Sequence, residues 1–222
     1  QRLFCVICVP PARTTRPSSA PSIVYKRHSL GGRLRELRLE SFHHYLQLLT
    51  TGPYQTDEFE ALLEHTHVFE RCIFRHARQL ADVQAHHLAP LIDARSAERR
   101  LRVWCPGCAA GEEAYTIAIR VLEALGERAP DWGVEILATD AGDRALEHAR
   151  AGVFAPASFP AMDVRIKRRY FLPDARGLRA APELRSLISF RRHTLTDTLG
   201  ALRFGTWDLI FFRDLLSWLE PE

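Results

Sequence analysis

Between Val103 and Leu125 the chain reads VWCPGCAAGEEAYTIAIRVLEAL, and its opening turn carries the residues of two different chemistries. Trp104-Cys105-Pro106-Gly107-Cys108 has the spacing of a redox W-C-x-x-C motif, in which a helix N-terminus would stabilise a reactive thiolate. Gly107 and Gly111, bracketing small residues before an amphipathic helix, have instead the character of a nucleotide-binding turn. The redox reading lacks its companions. No later strand preceded by a candidate cis-proline stands out, and Ala109-Ala110 make the turn longer than a redox loop. Glu112 and Glu113 follow at once, and carboxylates raise a neighbouring thiol's pKa rather than lower it.

The nucleotide reading needs a small-residue turn after a first strand, a helix N-terminus at the ligand, and an acid ending the second strand to take ribose hydroxyls. Pro106–Gly111 supplies the turn. The helix it opens has Ile117, Ala118, Val121, Leu122 and Leu125 on one face. Asp140 ends the second strand. Ligands of open parallel sheets sit beyond the carboxyl ends of the strands, so Gly107, Asp140, Thr194 and Asp214 are expected along one crevice. Glu112 and Glu113 sharpen the ligand's chemistry. One acid in a first helical turn is explained by the macrodipole. The pair therefore reads equally as first-turn acids or as carboxylates that would repel a pyrophosphate and welcome an ammonium group, as in S-adenosylmethionine, a ligand with a sulfonium and an ammonium and no phosphate.

The elements that must position these residues follow from pattern. Pro10 to Ser22, PPARTTRPSSAPS, reads as a linker or tail, and residues 1–25 are expected to lack structure. Residues 26–95 read as a small all-helical subdomain. Leu34, Leu37 and Phe42 begin one apolar face, and Thr56 caps a helix with Phe59, Leu62 and Leu63 inside. A longer helix runs over Ala77 to Ala94. Residues 96–222 switch to apolar strands alternating with helices: Leu101–Trp104, Trp132–Asp140, Ser186–Thr194 and Trp207–Leu216. That alternation predicts a parallel sheet covered on both faces. Arg33, Arg35 and Arg38 read equally as a solvated helix face or as a basic face for an acidic partner helix.

Composition bounds the rest. The 222 residues carry 30 basic and 27 acidic side chains, net +3, with 46% hydrophobic residues, enough for a core. Lys26 and Lys167 are the only lysines, and the arginines are scattered among acids, which favours a biased composition over a nucleic-acid surface. Five cysteines in a chain of this length do not make a secreted disulfide scaffold. The pairs Cys5/Cys8 and Cys105/Cys108 are too far apart for a zinc ribbon. The histidines, His43-His44, His65, His67 and His86-His87 among them, lack a ligand pattern with nearby carboxylates. No stretch approaches a membrane span, and the chain reads as cytoplasmic.

Taken together, the C-x-x-GEE-x-Y-T-x-A run, LATD, HARAGVF, RRYF and WDLIFFRDLLSW, with ERCIFRHARQL before them, resemble the chemotaxis receptor (CheR-type) methyltransferase family from about Leu30 onward. The resemblance implies an S-adenosylmethionine-dependent protein-glutamate O-methyltransferase, with a Rossmann-like methyltransferase domain after a small helical domain. Its substrate would be the helical signalling domain of a chemoreceptor-type protein. The resemblance places Arg75 over the carboxylate side of the cofactor, where it could also orient the substrate carboxylate. It places Glu112 at the ammonium, Asp140 at the ribose, and Leu195 and Leu215 in the adenine pocket. Tyr115 reads either as a site-shaping residue or as helix packing.

The chain departs from the family at Phe69 and Arg71, at Thr194 where asparagine is usual, and at Asp214 where asparagine is usual. Two alternatives therefore stand beside the enzyme: a degenerate binding or regulatory module, and the C-x-x-C redox protein. The family also continues beyond WDLIFFRDLLSWLEPE. The domain is thus expected to be C-terminally truncated, with its fourth strand a bare apolar edge, and monomeric when complete.

Overall fold

A computed structural model describes residues 4–8, 31, 33–51, 58, 62, 72–160, 162–197, 200 and 203–213. The chain divides into two compact units, one of residues 12–70 and one of residues 1–11 and 71–222. The division falls earlier than the expected boundary at residue 95. The helical stretch after Ala77 belongs to the larger unit.

Five parallel strands form the central sheet of the larger unit: β1 (Phe4–Cys8), β2 (Arg100–Pro106), β3 (Gly133–Asp140), β7 (Ile188–Arg192) and β8 (Leu209–Arg213), in the order β1-β8-β2-β3-β7. Four of these are the strands that the apolar runs mark. The fifth corrects the reading of residues 1–25 as a tail. Phe4 pairs with Leu209 and Cys8 with Arg213, so β1 lies along the edge of β8 that was expected to be bare. The run FCVIC has the β-branched and apolar character of a buried parallel strand, and the Pro-rich stretch beside it conceals that.

Three short strands, β4 (Val153–Phe154), β5 (Phe171–Asp174) and β6 (Gly177–Ala180), form a separate antiparallel sheet in the order β4-β6-β5. With two to four residues each, they are too short to show a period.

Burial alternates along β2. Leu101, Val103 and Cys105 are inaccessible, while Arg102 and Trp104, on the other face, are partly exposed. Helix α4 (Glu112–Leu125) is buried from Ala114 to Ile119, beyond its expected face of Ile117, Ala118, Val121, Leu122 and Leu125. Among the described residues, the opposite face of the sheet carries an aromatic group. Trp104 lies 6.0 Å from His193, 5.9 Å from Phe204 and 6.4 Å from Trp207, and the Arg102 guanidinium sits 4.3 Å above the Trp207 ring.

The expected helix over Ala77–Ala94 is interrupted. It consists of α2 (Ala77–Val83), a π-helical turn Gln84–Leu88 and α3 (Ala89–Ala94). Pro90 explains the interruption: it has no N–H for the His86 carbonyl, and the helix widens by one residue there. Helix α5 (Asp143–Ala151) ends at Gly152 in the left-handed region, as its sequence predicts.

In the smaller unit, Arg33 does not belong to a free basic face. Its guanidinium donates from Nε to Glu58 Oε1 at 2.9 Å and from Nη2 to Glu58 Oε2 at 2.6 Å, and the Tyr45 hydroxyl donates to the same Oε1 at 2.8 Å. Glu58 and Tyr45 are both buried. The helix expected from Thr56 onward lies mostly outside the described residues, as do Phe69 and Arg71.

Candidate active site at the carboxyl edge of the sheet

Parallel register brings the ends of β2, β3 and β7 to one edge. Pro106 pairs with Thr139, and Asp140 with Arg192. The turn after β2 is therefore beside Asp140 and beside the residues that follow β7, which are His193 and Thr194. Thr194 is exposed and Leu195 half-buried there, with the His193 N–H donating to the Asp140 carbonyl at 2.9 Å. Asp214 and Leu215 lie outside the described residues.

The turn itself alternates into left-handed backbone, with φ of 65° at Gly107, 45° at Ala109 and 97° at Gly111. Glycine takes such angles without strain. Ala109 does not, and its N–H is what holds it there, donating to Asp140 Oδ2 at 2.8 Å. Gly111 is needed for a second reason, because a Cβ on it would stand 3.0 Å from that of Ala149 on α5.

The hydrogen-bond inventory of this turn separates the possible ligands. A phosphate cradle keeps its backbone N–H groups for the ligand. Here the Cys108 N–H donates to the Thr139 carbonyl at 2.9 Å and that of Gly111 to the Cys108 carbonyl at 2.9 Å, while that of Ala109 is taken by Asp140. Three amides of the turn are thus consumed internally. Glu112, at the first position of α4, is 7% exposed, which puts a buried acidic residue at this helix end. The residues fit a ligand that is cationic and hydroxyl-bearing and do not fit a pyrophosphate.

Asp140 is oriented from two sides. Its Oδ1 accepts the Gly142 N–H at 2.9 Å and its Oδ2 the Ala109 N–H. Each oxygen keeps a lone pair for a hydroxyl of the ligand.

Arg75 arrives from the turn before α2. Phe74 and His76, on either side of it, both have positive φ, 64° and 56°. The Phe74 N–H donates to Thr116 Oγ1 at 3.0 Å, and that hydroxyl donates to the Glu112 carbonyl at 2.7 Å. The corner bearing Arg75 is thereby tied to the first turns of α4, near Glu112. In the sequence Thr116 appears as the threonine of the GEE-x-Y-T-x-A run, which carries no signal of this contact.

The cysteines do not behave as a redox pair. Burial pushes both thiols well above their ordinary pKa, helped at Cys105 by Glu113 and at Cys108 by Asp140. Both are free, with Cys105 1% and Cys108 2% exposed. A thiol held protonated inside a core is the opposite of an attacking thiolate. Tyr115 resolves to packing: it is fully buried, donates to the Ala149 carbonyl at 3.0 Å and meets Phe154 edge-on at 5.3 Å. Among the described residues, no group of three or more His, Cys, Asp or Glu is placed to hold a metal, and no helix is long and apolar enough to cross a membrane.

Comparison with known proteins agrees with this chemistry. Residues 70–222 match the family described as CheR methyltransferase, SAM binding domain. Chemotaxis protein methyltransferase 2 of Pseudomonas aeruginosa is 33% identical over 91% of this chain and 69% of its own. The chemotaxis protein methyltransferase of Klebsiella aerogenes is 32% identical over 89% and 65%. A 104.1 kDa protein of Rhodobacter capsulatus is 33% identical over 80% of this chain and 18% of its own. The chain thus spans about two thirds of the chemotaxis enzymes it matches and less than a fifth of the Rhodobacter protein.

Proposed function

The chain belongs to the CheR methyltransferase family, and from that premise we propose that it transfers the methyl group of S-adenosylmethionine to glutamate side chains of a chemoreceptor-type helical signalling protein. The observation that carries the reading is the turn after β2, whose amides are spent on Asp140 and Thr139 while Glu112 stands buried at the helix end.

When bound, S-adenosylmethionine supplies a methyl group on a positively charged sulfur, open to direct displacement by a carboxylate. The chain's own residues then have three tasks. Glu112 would hold the amino-acid ammonium. Asp140, braced by the Ala109 and Gly142 amides, would accept the ribose hydroxyls. Arg75 would meet the cofactor carboxylate and help aim the substrate's. Thr194, Leu195, Asp214 and Leu215 would border the adenine. No residue is assigned as a general base, because a glutamate carboxylate is already an adequate nucleophile. Alignment and exclusion of water are what the site contributes. The protein is read as acting in the cytoplasm, and as a monomer.

The reaction is tested with tritiated methyl donor and the isolated signalling domain of a chemoreceptor from the same organism. Base-labile label in the receptor, lost when its target glutamates become alanine, is the expected result. Donor binding without transfer would replace this reading with that of a binding module.

A further inference from the structure

Arg75 is held at the site from outside the nucleotide-binding turn. Its backbone corner is unusual, since Phe74 and His76 both occupy the left-handed region that side-chain-bearing residues rarely adopt. Such a corner persists only where surrounding contacts over-determine it. Those contacts converge on Phe74. Its N–H meets Thr116 Oγ1 at 3.0 Å, and its ring lies 4.6 Å beneath the Arg120 guanidinium. Arg120 is itself fixed by Gln84, its Nη1 donating to Oε1 at 2.9 Å. One residue earlier, the Ile73 N–H donates to the Ser158 carbonyl at 2.8 Å.

Thr116 and Arg120 stand four and eight positions after Glu112 on α4, so all three share one helical face. The Thr116 hydroxyl is 2% exposed and uses both of its capacities: it donates to the Glu112 carbonyl and accepts from Phe74. The first bond is one that any helical threonine can make. The second is specific to this corner.

We propose that Thr116 and Arg120 are positioning residues for the methyl-donor site, seating Phe74 so that the strained corner presents Arg75 beside Glu112. The proposal rests on the reading that Arg75 faces the donor. Neither residue touches the donor itself. Valine at 116 keeps the shape and removes the acceptor for the buried Phe74 N–H, whereas serine restores it.

The test is calorimetric titration of S-adenosylmethionine into the parent protein, Thr116→Val, Thr116→Ser, Arg75→Ala and the Arg75→Ala/Thr116→Val pair, each with its melting temperature. Arg75→Ala and Thr116→Val are each expected to weaken binding about tenfold, the loss of one well-placed polar contact. Thr116→Ser should return within about twofold of the parent. In the Arg75→Ala background, Thr116→Val should cost nothing further, because the corner then has nothing to present. A purely structural Thr116 would lower the melting temperature and leave affinity unchanged, or cost the same affinity in both backgrounds, and either result overturns the proposal. Should Thr116→Val not fold, Arg120→Met keeps the stem and removes the charge over Phe74. It should cost about threefold beside Arg75 and nothing without it, and equal costs in the two backgrounds would again overturn the proposal. If the parent binds and Arg75→Ala binds as tightly, the reading of Arg75 fails and takes the proposal with it. If the parent gives no heat, the donor assignment itself is what fails.

Discussion

Two carboxylates, the buried Glu58 of the smaller unit and the half-buried Asp140 of the larger, are built on opposite plans. Glu58 is closed. Arg33 occupies both of its oxygens and the Tyr45 hydroxyl adds a third bond, so charge is met by charge. Asp140 is open. Its two oxygens each take one backbone amide, from Gly142 and Ala109, and that brace fixes orientation without an ion pair. An acid that serves the fold is saturated by side chains. Asp140 is aimed by the backbone and keeps lone pairs in reserve, the arrangement that the proposed ribose contact requires. Both plans satisfy the requirement that buried polar groups be bonded.

The contrast predicts different failures. The largest effect belongs to Glu58→Ala, which takes the buried carboxylate from the largely buried Arg33 and leaves it paired with the exposed Glu36. Breaking a buried pair in this way costs about 3–5 kcal/mol, read as a lower denaturation midpoint of the 12–70 unit. Arg33→Met/Glu58→Leu, by replacing the whole pair, should recover much of that loss. Equal destabilisation by the single and the double change would show that Glu58 is not a closed site.

Asp140→Asn ranks second and should act on binding. An asparagine has one acceptor oxygen for two amide donors, so the brace on Ala109 or Gly142 is lost. Affinity for S-adenosylmethionine should fall by about 10–100-fold, the worth of a charge-assisted hydrogen bond, with little change in melting temperature. A melting temperature that collapses with affinity unchanged would make Asp140 a second Glu58.

The smallest effect is a pH dependence that both units share. Burial raises Tyr45 and Tyr115 from about 10 to about 12, and at Tyr45 the hydrogen bond to Glu58 adds to this. The folded state holds these protons more tightly than the unfolded chain, so the stability the two tyrosines contribute is full below pH 10 and is lost as the pH rises from 10 towards 12. Thermal melts across that window should show the decline. Tyr45→Phe and Tyr115→Phe should each flatten it, and a decline that neither change affects would assign it elsewhere.

Much of this could be read from residues alone, and the limits have physical causes. Trp132–Asp140 is legible because a run that is apolar or β-branched apart from Glu135, ending in an acid, has the character of a buried parallel strand. Asp140 and the Gly107–Gly111 turn follow from it by position. The Asp140 brace is not legible, since it depends on a left-handed Ala109, and alanine does not announce that conformation. Thr116 is hidden more deeply: its partner Phe74 is 42 residues away, and sequence spacing carries no trace of that contact. β1 is lost among prolines, and the β4–β6 strands are shorter than any period. The π-helical turn before Pro90 was not expected, although a proline inside a helical run removes a bond and so marks where the helix must adjust.

At the centre stands the preference of the Gly107–Glu112 bend for a cationic methyl donor over a phosphate. Its most direct measurement is calorimetric titration of one protein sample with S-adenosylmethionine and, separately, with ATP, which shares the adenosine and replaces the amino-acid part with phosphates. Saturable heat with S-adenosylmethionine and none with ATP is the result expected from amides already spent and a buried Glu112. Tighter binding of ATP, or no heat with S-adenosylmethionine, would contradict it.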